Sequence, residues 1–194
     1  MLRTLLMSLL LAAPVAALEF GASAPQADVK MKNVDGRALS IAEIAGKQGT
    51  LVIFTCNHCP WVKAWQERIA ALGNAYGARG IGVIAINSND PAASPNDAFD
   101  PMVERAKQLG LQFPYVVDAG STVAKAFGAE RTPEVYLFDA AGTLVYHGTI
   151  DDNAEQPDAV KLHYLRDALE AVASGKPVAV AATKSLGCTI KFHQ

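Results

Sequence analysis

Cysteine is scarce in this chain, which has only three in 194 residues. Domains that depend on disulfides for their stability carry more, so we expect a hydrophobic core of ordinary size to hold the fold. Cys56 and Cys59 have Cys-x-x-Cys spacing, and Cys188 lies near the C-terminus. Because an odd count leaves one thiol over, the sequence indicates one redox pair and one thiol of unassigned role.

The chain also has no large excess of positive or negative charge. The 17 basic and 19 acidic residues nearly cancel and are scattered along the chain. This balance excludes the basic footprint of a nucleic-acid-binding protein and a polybasic patch for anionic membranes. We therefore expect no nucleic-acid partner.

Long apolar runs are absent apart from Leu5 to Ala17, which follows the positive charge of Arg3. That run is shorter than the roughly 20 residues of a membrane span and ends in small residues, which is typical of a secretory signal peptide. We predict a signal peptide at 1–17 and one exported domain, periplasmic or secreted, at 18–194. An uncleaved anchor is the alternative; after cleavage we expect no membrane span.

Strand and helix patterns alternate along the remaining chain. The runs 51–55 and 81–86 have the apolar, β-branched composition of strands buried on both faces, and the segment from Pro60 between them has a helical period. Asp35-Gly36 predicts the turn of an N-terminal β-hairpin, and Ser40 with Glu43 predicts a capping box.

The second half of the chain continues the alternation. It predicts a helix from Asp100 to Gly110, short elements at 115–117 and 121–127, and a hairpin over 135–147. A last helix is expected from about Asp158 to Ser174, with these side chains facing inward: Leu162, Leu165, Leu169 and Val172. The fold class is therefore α/β, with a mixed central sheet flanked by helices.

The Cys-x-x-Cys motif lies where a buried strand gives way to a helix. Only a thiolate attacks a disulfide, and a helix that begins at or just after Cys56 points its unpaired N–H groups at that sulfur. We therefore expect the pKa of Cys56 to lie below the ~8.5 of a free thiol, with Cys59 as the resolving thiol. His58 would stabilise the Cys56 thiolate further; the alternative is a surface histidine without such a role.

Other chemistries fit the motifs less well. A closed zinc site needs four ligands, and the chain has no second close pair of cysteines or histidines. Pro60 stands where haem attachment requires histidine, and Gly80 and Gly82 start a strand instead of following one, as a dinucleotide-binding turn would require. We expect no metal and no other cofactor. Cu(I) binding by the two thiolates with help from a histidine is kept as the alternative from another class.

Several motifs together resemble the thioredoxin-like branch of the redoxin families, which are related to alkyl hydroperoxide reductase and thiol-specific antioxidant proteins. The matching segments are 55–63, 87–90, 113–115, 124–129, Thr132-Pro133 and 187–191. The resemblance implies a thioredoxin fold, a cis Thr132-Pro133 bond facing the disulfide, and Cys56 as the attacking thiol. It also implies a thiol–disulfide oxidoreductase whose partners are protein or small-molecule thiols and disulfides.

The chain departs from its relatives in ways that matter for mechanism. Related peroxiredoxins carry their peroxidatic cysteine in a Pro-x-x-x-Thr-x-x-Cys setting, which neither Cys56 nor Cys59 has. Thiol-dependent peroxidase activity is therefore kept only as an alternative. No acid stands in the strand before Cys56 to act as a proton acceptor, so we name no general base, and Arg131 occupies a position where relatives often have cysteine.

Two further assignments concern the surroundings of the pair. We expect a substrate groove at Trp61, Thr132 and Pro133, with packing of Trp61 and a trans loop proline as the ordinary alternatives. Cys188 could be a buried inert thiol, a second resolving thiol for Cys59, or a link to another chain. We favour a structural role, because the whole tail segment recurs in the relatives that the chain resembles.

Overall fold

The computed structural model describes residues 18–193. The expected signal peptide at 1–17 lies outside the described residues, so its cleavage stays a prediction. Among the residues described, none of the helices combines the length and apolar character that crossing a membrane requires.

A seven-stranded mixed sheet forms the centre of the fold. Its strands lie in the order β2-β1-β5-β4-β3-β7-β8. They are β1 Met31–Asn33, β2 Ala38–Leu39, β3 Gly49–Phe54, β4 Ile81–Asn87, β5 Tyr115–Val117, β7 Glu134–Asp139 and β8 Leu144–Gly148. Strands β3, β4 and β5 are parallel, whereas β7 runs antiparallel to β3. A separate two-stranded ladder pairs β6, Arg131–Thr132, with β9, Cys188–Thr189.

Helices cover both faces of the sheet. They are α1 Ile41–Ile44, α2 Pro60–Gly77, α3 Phe99–Gln108, α4 Thr122–Phe127 and α5 Tyr164–Ala173. Because side chains alternate along a strand, Leu51 and Ile53 pack in the core beneath α2 and α5, while Val52 and Phe54 pack in the core beneath α1 and α4. This double burial explains the continuous apolar run of β3. The architecture is the thioredoxin fold with N-terminal strands, as predicted.

The N-terminal hairpin and its helix cap form as expected. Strands β1 and β2 pair antiparallel around Asp35-Gly36. The Ser40 hydroxyl accepts the Glu43 amide, and the Glu43 carboxylate accepts the Ser40 amide, which completes the predicted capping box.

The last helix is shorter than the prediction. It begins at Tyr164, after a 3₁₀ turn at Pro157–Ala159. The Asp152 carboxylate accepts the backbone N–H groups of Lys161 and Leu162, which holds this segment outside the helix. Leu162 was expected to face the core and is instead 52% exposed. The other three predicted inward-facing side chains are buried.

Candidate active site

The junction between β3 and α2 carries the Cys-x-x-Cys motif. Strand β3 ends at Phe54, and α2 begins at Pro60 with Cys59 as its N-cap residue. The expectation that the helix starts at or just after Cys56 is therefore wrong. Cys59 is extended, as the residue before a proline prefers, and Pro60 takes the first helical position. The positive end of the helix therefore lies nearest to Cys59.

Thr132 contacts both cysteines of the motif. Its hydroxyl Oγ1 lies 3.3 Å from Cys56 Sγ, and its carbonyl oxygen lies 3.2 Å from Cys59 Sγ. The Thr132-Pro133 peptide bond is cis, as the resemblance implied. The loop between α4 and β7 therefore faces the motif through the backbone and side chain of one residue.

The third cysteine also reaches this site. Cys188 lies opposite Thr132 in the β6–β9 ladder and is bonded to Cys59, with 6.2 Å between the two Cα atoms. Cys56 is free and buried. The structure therefore bonds Cys59 to Cys188, which matches one of the three alternatives kept open for Cys188, whereas the sequence predicts Cys56 and Cys59 as the redox pair. All three sulfurs are at the same site.

With all three cysteines as thiols, Cys59 is the most acidic of them. A hydrogen bond from Cys56 and a second from Cys188 lower the pKa of Cys59 to about 4, although burial opposes the shift. The pKa of Cys56 is raised, because its thiol donates to Cys59, is buried, and faces the negative charge of Asp97. This direction is opposite to the expected lowering of the pKa of Cys56, because the Cys59 hydrogen bond, burial and Asp97 all favour the neutral thiol.

Asp97 is the acid that the sequence analysis missed. It is buried in the 3₁₀ turn Pro95–Asp97. Its Oδ1 accepts the backbone amide of Asn57 at 2.7 Å, and its Oδ2 accepts the side-chain amide of Asn89 at 2.7 Å. Asp97 stands in the loop after β4 and not in the strand before Cys56. The loops that follow parallel strands β3 and β4 meet at one edge of the sheet, and that topology is the signal that could have found it.

His58 is held by the same carboxylate. Its Nδ1 lies 2.9 Å from Asp97 Oδ2, and its side chain is 43% exposed. One ligand atom each from Cys56, His58 and Asp97 lies within 4.8 Å of the other two. The structure thus brings His58 to Cys56, with the imidazole held by Asp97. Among residues 18–193, this trio is the group that could hold a metal ion.

The expected substrate groove is only partly open. Trp61 is 37% exposed and stacks on the buried ring of Trp65, with 5.9 Å between ring centroids. Thr132 and Pro133 are buried, and β9 occupies the backbone edge of Thr132. Trp61 and the tail are therefore more accessible from solvent than Thr132.

Sequence and structure comparisons place this site in a known family. The redoxin family model matches residues 19–162. The chain belongs to the redoxin family. A hypothetical protein from Sinorhizobium meliloti 1021 is 35% identical to this redoxin, with a TM-score of 0.83 over 92% of this chain and 97% of that one. An uncharacterized conserved protein from Geobacillus kaustophilus is 36% identical, with a TM-score of 0.83 over 90% and 93% of the two chains.

One relative whose name states an activity is less similar in sequence than the two proteins above. This redoxin is 27% identical over 115 residues to the thiol-disulfide oxidoreductase ResA of Halalkalibacterium halodurans. The match spans 59% of this chain and 61% of that relative, so the redoxin covers less than two thirds of its length.

Glu134 supports the loop that presents Thr132 in this redoxin. Its Oε2 accepts the backbone amides of Glu130 and Arg131, each at 2.9 Å, and its Oε1 lies 2.7 Å from His147 Nε2. Burial works to raise the pKa of Glu134, but the hydrogen bonds from His147 and the two amides outweigh it and lower the pKa below 4.5.

We expect Glu134→Gln to lower the free energy of unfolding at pH 7 by about 2 kcal/mol, because charge-assisted hydrogen bonds in a buried site are replaced by neutral ones. A carboxyl whose pKa is depressed by folding stabilises the protein above its unfolded pKa, and that stabilisation is lost as the pH falls through the folded pKa. The difference between wild type and variant should therefore shrink below about pH 4.5.

Urea unfolding at pH 7 and pH 3 measures this difference. Glu130→Gln removes an exposed carboxyl from the same loop and serves as the matched control. A difference that stayed constant between the two pH values would contradict the assigned role of the Glu134 charge.

Proposed function

We propose that this redoxin is an exported thiol–disulfide oxidoreductase that acts on protein or small-molecule disulfides, with Cys56 attacking and Cys59 resolving. The observation that carries the proposal is the position of Thr132, whose hydroxyl and carbonyl contact the two sulfurs beside a cis proline. The name of the ResA relative supports the same chemistry.

The first step is an attack by Cys56 on the partner's disulfide. In the reduced site the Cys56 thiol donates to the Cys59 thiolate. When the proton passes along this hydrogen bond, Cys56 becomes the thiolate that attacks. A Cys56–partner disulfide forms, the partner's disulfide breaks, and the departing thiolate takes a proton from solvent.

The second step is resolution by Cys59. The low pKa of Cys59 returns it to the thiolate, which attacks Cys56 Sγ and releases the second partner thiol. The partner gains two electrons and two protons, and Cys56 and Cys59 are oxidised to a disulfide. Run in reverse, the same steps oxidise a partner dithiol. Trp61 and Leu186 are large apolar side chains that are exposed, and each lies two positions from a cysteine in the sequence. Their exposure favours a partner with an apolar surface, such as a protein.

Exchange is tested by adding equimolar oxidised glutathione to the reduced protein. We expect loss of two protein thiols per glutathione disulfide consumed, and Cys56→Ser should slow the loss at least about 100-fold. Thiol counting with timed alkylation measures both. If wild type and Cys56→Ser react at the same rate, Cys56 is not the attacking thiol. Hydrogen peroxide in place of glutathione tests the peroxidase alternative, which requires faster oxidation by peroxide than by disulfide.

A second candidate function is soft-metal binding, favoured by the trio of Cys56, His58 and Asp97. Thiolate and imidazole together suit Cu(I). The carboxylate already accepts hydrogen bonds from its neighbours, which favours a positioning role for Asp97 instead. Metal analysis of anaerobically purified protein distinguishes the two functions. Thiol–disulfide exchange predicts no stoichiometric copper, whereas metal binding predicts bound copper that is lost in Cys56→Ser.

Export rests on the sequence of residues 1–17. A positive residue, an apolar run and small residues precede Leu18 in the order that a signal peptidase requires. The intact mass of protein recovered outside the cytoplasm should correspond to a chain that begins at Leu18, and a mass that includes Met1 would contradict cleavage.

A further inference from the structure

The tail that carries Cys188 is anchored on both sides of the cysteine site. The Ile190 amide donates to the Glu130 carbonyl at 2.9 Å, and the Ile190 side chain is buried in the core. The Lys191 amide donates to Asn89 Oδ1 at 2.8 Å. Cys188 is therefore held over Cys59 by backbone pairing and core packing in addition to the bond between the sulfurs.

The sulfur of Cys59 interacts with the sulfurs of both other cysteines. It bonds to Cys188 here, and its hydrogen bond with Cys56 governs the charge of the reduced form. Cys56 and Cys59 are 3% and 2% exposed, whereas Cys188 is partly exposed. An external thiol therefore meets Cys188 first.

We propose that Cys188 takes over the disulfide formed at Cys56 and Cys59 and is the point at which an external thiol reduces the protein. The inference deepens the function proposed above and rests on it. The Cys188 thiolate attacks Cys59 Sγ, the Cys59–Cys188 bond forms, and the Cys56–Cys59 bond breaks. The electron pair goes to Cys56, so the step is redox-neutral and leaves Cys56 free, as in this structure.

The proton balance of this step involves two weakly acidic thiols, Cys188 and Cys56. Burial and the neighbouring Cys59 raise the pKa of Cys188 to about 11, and the pKa of Cys56 is raised further. The proton lost by Cys188 therefore ends on Cys56 through solvent exchange.

The same acidities decide which sulfur an external thiol attacks. Attack on Cys188 releases the Cys59 thiolate, whose pKa of about 4 makes it the better leaving group. A mixed disulfide then forms at Cys188, and a second external thiol attacks its outer sulfur and restores the three protein thiols. The reductant is a small or protein thiol, and it becomes a disulfide.

Mapping after chemical oxidation tests the location of the disulfide without relying on catalysis. Reduced protein is oxidised with diamide, quenched with acid at timed intervals, alkylated and digested. We expect the single peptide with an internal Cys56–Cys59 bond to appear first and to be replaced by two peptides joined through Cys59 and Cys188, with Cys56 alkylated at the end. A final Cys56–Cys59 bridge, or a Cys188 bridge between two chains, would overturn the proposal.

The rate of reduction by an external thiol tests whether Cys188 is the sulfur that the thiol attacks. Cys188→Ser retains the Cys56–Cys59 disulfide, and we expect glutathione to reduce it at least about tenfold more slowly than the disulfide of wild type, because the remaining sulfurs are shielded. Thr189→Ala changes the exposed neighbour in β9 and serves as the matched control; Cys188→Ala guards against a folding defect of the serine variant. Equal rates in wild type and both Cys188 variants would overturn the proposal. Loss of Cys56-dependent exchange with normal mapping would instead contradict the proposed function alone.

Discussion

Replacing Cys59 by serine should lower turnover on a protein disulfide at least about 1000-fold, which is the loss expected when the resolving group of a covalent mechanism is removed. Cys59 is bonded to Cys188 in the structure and is the partner of Cys56 in the proposed exchange, so its loss removes the observed bond and the proposed one at once. Neither Cys56 nor Cys188 then has a partner at the centre of the site.

The same variant should stall after the first step. Cys56 must then lose its proton to solvent, so its attack on oxidised glutathione is slower, and because Cys59 is no longer there to resolve the product, glutathione stays attached to Cys56. Intact mass and peptide mapping detect this adduct. Cys56→Ser is the matched control and should form no adduct at position 56. Turnover above about one tenth of wild type in Cys59→Ser would contradict the role of Cys59 in resolution.

Local patterns of the sequence were enough to predict most of the fold. The uninterrupted apolar run of β3 predicts burial on both faces, and its alternate side chains divide between two cores. Ser40 and Glu43 predict their own hydrogen bonds, because a capping box needs only four residues. Gly82 shows the limit of such patterns. A Cβ there would overlap the carbonyl oxygen of Ile44, a close approach that only the folded chain reveals.

The parts of the site that the sequence missed all depend on contacts between distant segments. Cys59 and Cys188 are 129 positions apart, and their pairing is set by the β6–β9 ladder, for which two residues per strand give no pattern. Asp97 reaches Asn57 from a loop 40 positions away. The raised pKa of Cys56 follows from its hydrogen bond with Cys59, from burial and from the charge of Asp97. Spacing within the motif carries neither piece of information.

Asp97→Asn tests how this distant carboxylate controls the motif. In protein oxidised at Cys59 and Cys188, Cys56 is the one thiol left, so its alkylation by iodoacetamide reports its own ionisation. The negative charge of Asp97 disfavours a second negative charge on Cys56. Removing it should lower the pKa of Cys56 and speed its alkylation at pH 8 at least about tenfold.

The substitution should also destabilise the fold by about 3 kcal/mol, since three donors lose a buried anionic acceptor. Asp118→Asn separates this loss from the electrostatic effect. Asp118 is a buried carboxylate that accepts the Ser88 hydroxyl and the Ala124 amide, and it is not among the groups that shift the pKa of Cys56. Comparable destabilisation in both variants, with faster alkylation only in Asp97→Asn, would assign the acidity of Cys56 to the Asp97 charge. Equal alkylation rates in the two variants would show that Asp97 serves the fold and not the reactivity of the thiol.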